Sequence, residues 1–112
     1  MPRVIHPLEH HPSFRAVIEA ASPLAELALA MKDTELVSQL ATTCGDLAEG
    51  FAAPKTSPQR LVAHRRAWAS VRDLDRKIIA IGRRGLAGAR IVKRAQRAID
   101  RADVMVGALL PH

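Results

Sequence analysis

Four stretches of this chain place apolar residues three and four positions apart. Each begins or ends at proline or glycine, so the chain is expected to be all-α. The first opens at Pro12-Ser13 and carries Phe14, Val17, Ile18, Ala21, Leu24, Ala25, Ala28 and Met31. Pro23 lies inside it, where it removes one backbone hydrogen bond and crowds the preceding turn, giving either a kink or a restart with Ser22 as N-cap. The apolar phase runs through, which favours the kink. Lys32-Asp33-Thr34 then supplies a turn and an N-cap for the second stretch. Its apolar face is Val37, Leu40, Ala41, Cys44, Leu47, Ala48 and Phe51, and Pro54 is its stop. Gly45 and Gly50 each cost a helix about 1 kcal/mol against Ala, which predicts close backbone approach to a neighbour.

The third stretch starts with Ser57 as N-cap and Pro58 at the first helical position, and reaches about Arg84. Gly82, Gly85 and Gly88 mark the next turn; the fourth runs from about Ala89 to Leu109, before Pro111. Four helices with short links predict an antiparallel up-and-down four-helix bundle, one domain over residues 1–112, with residues 1–11 as an irregular lead-in. A chain of 112 residues buries roughly 60–70% of its unfolded surface, enough for one modest core.

With no Tyr, two Phe and one Trp, and with Val and Thr scattered, strands are not expected. No run approaches the ~18–20 apolar residues of a membrane span, and the opening Met-Pro-Arg-Val-Ile-His lacks the pattern of a secretory signal, so a cytoplasmic location is expected. Cys44, the single cysteine, cannot form an internal disulfide or a Cys-based metal site and is expected to be a buried small hydrophobe.

Charge divides the chain. Residues 1–59 hold four Lys/Arg against seven Asp/Glu, and residues 60–112 hold thirteen against four, so a net of −3 meets a net of +9. At roughly 100° per residue, Arg90, Arg94, Arg97 and Arg101 fall in a sector of about 60°, opposite Ile91, Ala95, Ile99, Ala102, Val106 and Leu109. On the third helix Ala67, Val71, Leu74, Ile78 and Ile81 form the core face, while Arg65, Arg72, Arg76 and Arg83 gather in a stripe of their own. The two stripes, on consecutive helices, are expected to merge.

A solvated face without a ligand mixes signs, because like charges at i,i+4 repel by a few tenths of a kcal/mol; the ridge of the fourth helix has no Glu. Arginine also suits bidentate phosphate contact, although a GC-rich genome enriches it as well. RNA or DNA held through its phosphates is therefore the expected partner, and an acidic protein surface docked by a scaffold is the alternative. Leu61, Trp68 and Ile79 lie beside the third helix's stripe and off its core face, which leaves much of Trp68 exposed in a monomer. A subunit interface is favoured there over base stacking, with one Trp and no Tyr available.

Catalytic and metal chemistries find little support. No Glu has His three residues later, as a di-iron bundle requires. His6, His10 and His11 sit between Pro7 and Pro12 and read as a disordered or partner-contacting tail rather than a metal site. His64 flanks the core face and reads as a partly buried, hydrogen-bonded side chain with no Ser or Cys paired to it. Gly82, Gly85 and Gly88 lack the strand and lysine of a phosphate loop. The expectation is a protein without catalytic residues, cofactor or metal.

Several segments resemble the four-helix-bundle family encoded in 23S rRNA intervening sequences. They are Leu36-Val37-Ser38-Gln39-Leu40, Leu47-Ala48-Glu49-Gly50-Phe51, Ser57-Pro58 and Ala67-Trp68-Ala69-Ser70-Val71-Arg72-Asp73-Leu74. They follow that family's order of Ser-Gln-Leu, Ile-Ala-Glu-Gly and Ala-x-Gly-Ser-x-x-Glu-Leu. The closing Met105-Val106-Gly107-Ala108-Leu109 is similar to the end of some accessory variability determinants of diversity-generating retroelements, a related branch. The likeness covers about residues 24–109. Asp46 stands where the intervening-sequence branch has Asn, and Asp73 where it has Glu; the first two motifs lie about one helical turn closer together, which fits the retroelement branch better. The resemblance implies a ring-like homopentamer without catalytic activity, which in the retroelement branch binds a reverse transcriptase and its template RNA. Asp73 and Glu49 are expected to make helix-end or inter-subunit contacts.

Overall fold

The computed structural model describes residues 7–111, all-helical apart from turns, with no strand among them. A 3-10 turn, Pro7–His10, precedes α1 (Pro12–Glu19), α2 (Ala21–Met31), α3 (Glu35–Ala52), α4 (Pro58–Arg83) and α5 (Ala89–Gly107). Between α1 and α2 the backbone stays right-handed helical at Ala20, and the amide of Leu24 still bonds the Ala20 carbonyl at 3.0 Å. α1 and α2 thus follow one another as one arm interrupted at Ala20, three residues before Pro23, and the helix does not restart at Ser22. That arm, α3, α4 and α5 enclose one core in which Val17, Leu24, Leu27, Leu47, Val71, Leu74, Ile78, Ile99 and Val106 are fully buried.

Turn chemistry sets the corners. At the end of α2, Lys32 takes the left-handed conformation (φ 54°), and the Asp33 amide reaches back to the Ala28 carbonyl at 3.0 Å, a Schellman closure made without glycine. Asp33, not Thr34, then caps α3: its Oδ1 accepts from the Glu35 amide at 2.9 Å, and Thr34 makes no side-chain cap. Ser57 caps α4 as expected, accepting from the Arg60 amide. Gly85 (φ 64°) ends α4 in the left-handed region, with the Leu86 amide bonding the Ile81 carbonyl at 3.1 Å.

The core faces of α4 and α5 agree with the periodicity, while that of α3 is rotated. Leu36, Leu40, Thr43, Leu47 and Gly50 point inward, and Val37 and Ala41 are exposed. One hydrogen bond and one close approach accompany the rotation. The Thr43 hydroxyl lies 2.7 Å from Ser70 Oγ, and the ring of His64 occupies the space where a Cβ on residue 50 would stand. Gly50 is thus a close approach, whereas Gly45 has open space around it. Cys44 is half-buried, and burial pushes its thiol pKa up.

The lead-in is built rather than loose over its described part. Leu8 packs on the core, Glu9 is buried, the Glu9 carbonyl accepts from Arg15 Nε at 3.1 Å, and the His11 ring stacks on Phe51 with centroids 3.8 Å apart. The tail expected at His10 and His11 is corrected accordingly; His6 lies outside the described residues.

Candidate nucleic-acid interface

α5 packs against α1, α2 and α4, and two of its arginines reach acids of the first arm. Arg94 reaches Glu26 of α2, and Arg101 lies 3.8 Å from Glu19 of α1. The ridge that holds no Glu on its own helix is thus partly neutralised by acids 68 positions away in sequence for Arg94. Arg90 and Arg97 are exposed with no carboxylate within ion-pair distance among the described residues, and so is Lys93 between them.

On α4 the stripe is looser. Arg65 and Arg83 are exposed and unpaired among the described residues; Arg76 meets Asp73 at 3.5 Å; Arg72 lays its guanidinium 4.8 Å from the Trp68 ring centroid. Arg84, not singled out in the sequence, is exposed and unpaired as well. It closes α4 beside Gly85, where no stripe continues to mark it.

The two stripes do not merge. Between α4 and α5 runs a seam in which Gln96 donates to Asp75 and, at 3.0 Å, to Asp100, while Trp68 Nε1 donates to Asp103 at 2.7 Å. Burial, then the nearby carboxylates of Asp100 and Asp103, push the Asp75 pKa up against the hydrogen bond from Gln96. Three acids therefore separate the stripe of α4 from that of α5. The arginines form two positive flanks instead of one patch.

Trp68 is half-buried in the single chain, held by Asp103 on one edge and by Gly107 against the ring. Its expected exposure is corrected for that reason. Leu61 and Ile79 are also half-buried. At Trp68 a depression of about 700 Å³ is lined also by Arg65, Asp103, Val104 and Gly107.

The family-like acids act across α3 and α4 within the chain. Asp73 accepts from Gln39 Nε2 at 3.0 Å and lies 3.3 Å from Lys77 Nζ, which also reaches Glu35 at 2.9 Å. Gln39, then Lys77, hold the Asp73 carboxyl below its usual range, and Glu35, then Asp73, hold the Lys77 ammonium above its own. Glu49 bonds Arg66 at 2.8 Å, and Asp46 lies 3.6 Å from the same guanidinium. Neither Asp73 nor Glu49 serves a helix end.

His64 is 3% exposed, edge-on to Phe51 with centroids 4.8 Å apart, and its Nε2 meets no hydrogen-bond partner. Burial, then the nearby charge of Arg60 and also His11, push its pKa down against a backbone hydrogen bond with Leu47. Arg60 caps the end of α3, donating to the Gly50 carbonyl at 2.9 Å and the Phe51 carbonyl at 3.1 Å. These groups pack helices together. No cluster of three or more His, Cys, Asp or Glu able to hold a metal occurs among the described residues, and no helix is long and apolar enough to cross a membrane.

Compared with known proteins, the chain matches no family model, no curated protein and no solved structure.

Proposed function

We propose that this chain is a non-enzymatic nucleic-acid-binding protein that acts as a homo-oligomer, in keeping with the retroelement accessory proteins it resembles. The observation that carries the reading is that exposed arginines, Arg65, Arg83, Arg90 and Arg97 among them, have no carboxylate within ion-pair distance among the described residues, on a chain of net charge +6. Uncompensated arginines favour phosphate by charge and by fork geometry, and two separate flanks suit a backbone-tracking contact better than a single deep site. The scaffold is an antiparallel up-and-down bundle. In support, partner numbers fall on one helix as they rise on the next: Glu35 meets Lys77 and Glu49 meets Arg66; Glu26 meets Arg94 and Glu19 meets Arg101.

The test is binding of a structured RNA and of a DNA duplex across a range of salt. Each lost phosphate contact on duplex DNA lowers the log–log slope by about 0.9, so replacing all four arginines by Ala is expected to lower it by roughly 3–4. An unchanged slope, or tight capture of an acidic protein that neither nucleic acid displaces, overturns the reading. The ring of five implied by the resemblance is expected to appear as a light-scattering mass near five protomers.

A further inference from the structure

We infer that the depression at Trp68 receives one unpaired base of a single-stranded nucleic acid, guanine in preference, while Arg65 holds an adjoining phosphate. The inference rests on the nucleic-acid binding proposed above and names what that contact reads. The depression lies where the first half of α4 meets the last turns of α5, and Arg65, Trp68, Asp103, Val104, Leu110 and Pro111 line it. Its volume, about 700 Å³, falls within the range of small-ligand sites. Gly107 keeps it open along the indole, because a Cβ there would stand 3.1 Å from Trp68 Nε1.

The polar groups of this depression are still open. The Trp68 N–H donates to Asp103 Oδ1 at 2.7 Å, which holds the carboxylate in place and leaves Oδ2 without a donor among the described residues. Arg65 shares the depression with Asp103 yet has no carboxylate within ion-pair distance among the described residues. Val104, 69% exposed, adds an apolar wall. Elsewhere such groups are engaged or missing. Beside Leu86, Lys77 bonds Glu35 at 2.9 Å and Asp33 accepts from the Glu35 amide, leaving Arg84 as the unpaired charge. Beside Phe51, Arg60 is given to the carbonyls that end α3, and His11 stacks on the ring. The groove between α2 and α3 has no aromatic ring in its lining.

These groups select the ligand. A carboxylate accepts and never donates, so a base seated here must bring N–H groups to it. Guanine presents two side by side, N1–H and the N2 amino group, whereas uracil presents one N–H between two carbonyl oxygens that the carboxylate repels. In a duplex those atoms are already paired, so the base comes from a single strand. Exposed Arg65 is then left for the phosphate, a contact that fixes position and carries no sequence information. The half-buried Trp68 needs no second copy to cover it, and Leu61 and Ile79 lie outside the lining.

Trp68 is the one tryptophan of the chain, so its emission reports on this depression. The experiment titrates the full chain with a uridine RNA pentamer, with the same pentamer carrying guanosine at its centre, and with an RNA duplex. Trp68 emission and Kd are read over a range of salt for the wild type, Asp103→Asn and Arg65→Ala, with circular dichroism to confirm folding. Asn at position 103 keeps an oxygen for the indole N–H and replaces the open carboxylate oxygen by a donor, so the fold is expected to hold. The wild type is expected to bind the guanosine pentamer about ten-fold more tightly than the uridine one, with saturable quenching. Asp103→Asn should abolish that preference. Arg65→Ala should weaken both pentamers, keep the preference and lower the log–log salt slope by about 0.7. Equal affinity of the wild type for the two pentamers, binding without a change in emission, a preference that survives Asp103→Asn, or binding of the duplex alone overturns the base site and leaves the phosphate contact standing. A light-scattering mass that falls in Val104→Glu assigns the depression to a second copy and overturns it as well. No binding of either pentamer or of the duplex at any salt overturns both readings.

Discussion

Trp68 on α4 gives its indole N–H to the Asp103 carboxylate on α5 at 2.7 Å, and this bond decides what the ring can be used for. With Gly107 against it and Arg72 beside it, the indole is a strut between two helices. Asp103→Ala is expected to lower stability by about 1–2 kcal/mol and to shift the Trp68 emission to the red, since a hydrogen bond to a charged group is lost and the ring edge is freed. Urea unfolding followed by Trp fluorescence reads both. Unchanged stability and emission would mean that the bond contributes nothing in solution.

The glycines of α3 should respond in opposite ways. A Cβ at residue 50 would meet the buried ring of His64, whereas one at residue 45 would meet nothing within 4 Å. Gly50→Ala is expected to destabilise by about 1–3 kcal/mol, because the buried His64 ring must shift to admit the Cβ. Gly45→Ala is expected to stabilise by up to about 1 kcal/mol through helix propensity. In a double-mutant cycle, His64→Ala should remove most of the penalty at residue 50.

Acid should loosen the same contact. The folded pKa of His64 lies below its ordinary value, so as pH falls through about 6.5 the unfolded chain takes up a proton that the folded chain refuses. Stability is then full above that range and declines with falling pH until the folded pKa is reached. Arg60 of α4 and His11 ahead of α1 face the ring and add to the cost of charging it. His64→Leu should flatten the dependence of chemical-denaturation stability on pH between about 7 and 5; an identical slope in the variant would remove His64 as its source.

The arginines of α5 separate into two kinds by experiment. Arg97→Ala is expected to weaken binding to RNA or DNA and to leave the melting temperature unchanged, because the side chain has no partner within the described residues. Arg94→Ala removes a half-exposed pair with Glu26 and is expected to cost at most about 1 kcal/mol of stability, while changing nucleic-acid affinity less than Arg97→Ala does. The reverse order of affinities would mean that the pair opens when nucleic acid binds.

Helix positions were legible wherever the signal is local. Ser57-Pro58 opens α4 and Gly85 closes it, because each acts on its own turn. The apolar faces of α4 and α5 read correctly for the same reason, since a stripe of branched and aliphatic side chains has one way to face a core. The face of α3 did not, because Thr43 and Gly50 carry no apolar signal. What turns them inward is Ser70 and His64 on another helix.

The candidate site followed the same division. Local spacing alone places Arg90, Arg94, Arg97 and Arg101 in one stripe, since a helix repeats every 3.6 residues whatever surrounds it. Whether each of those charges is available is a tertiary matter. Glu26 and Glu19 reach Arg94 and Arg101 only once the first arm lies beside α5, and Asp75, Asp100 and Asp103 part the two stripes only where α4 packs on α5. Sequence by itself determined the helices, their ends and the excess of positive charge, all properties of neighbouring residues. Tertiary structure decided which arginines stay free, where Trp68 goes and which apolar face is left uncovered, because each depends on groups that meet only when the chain has folded.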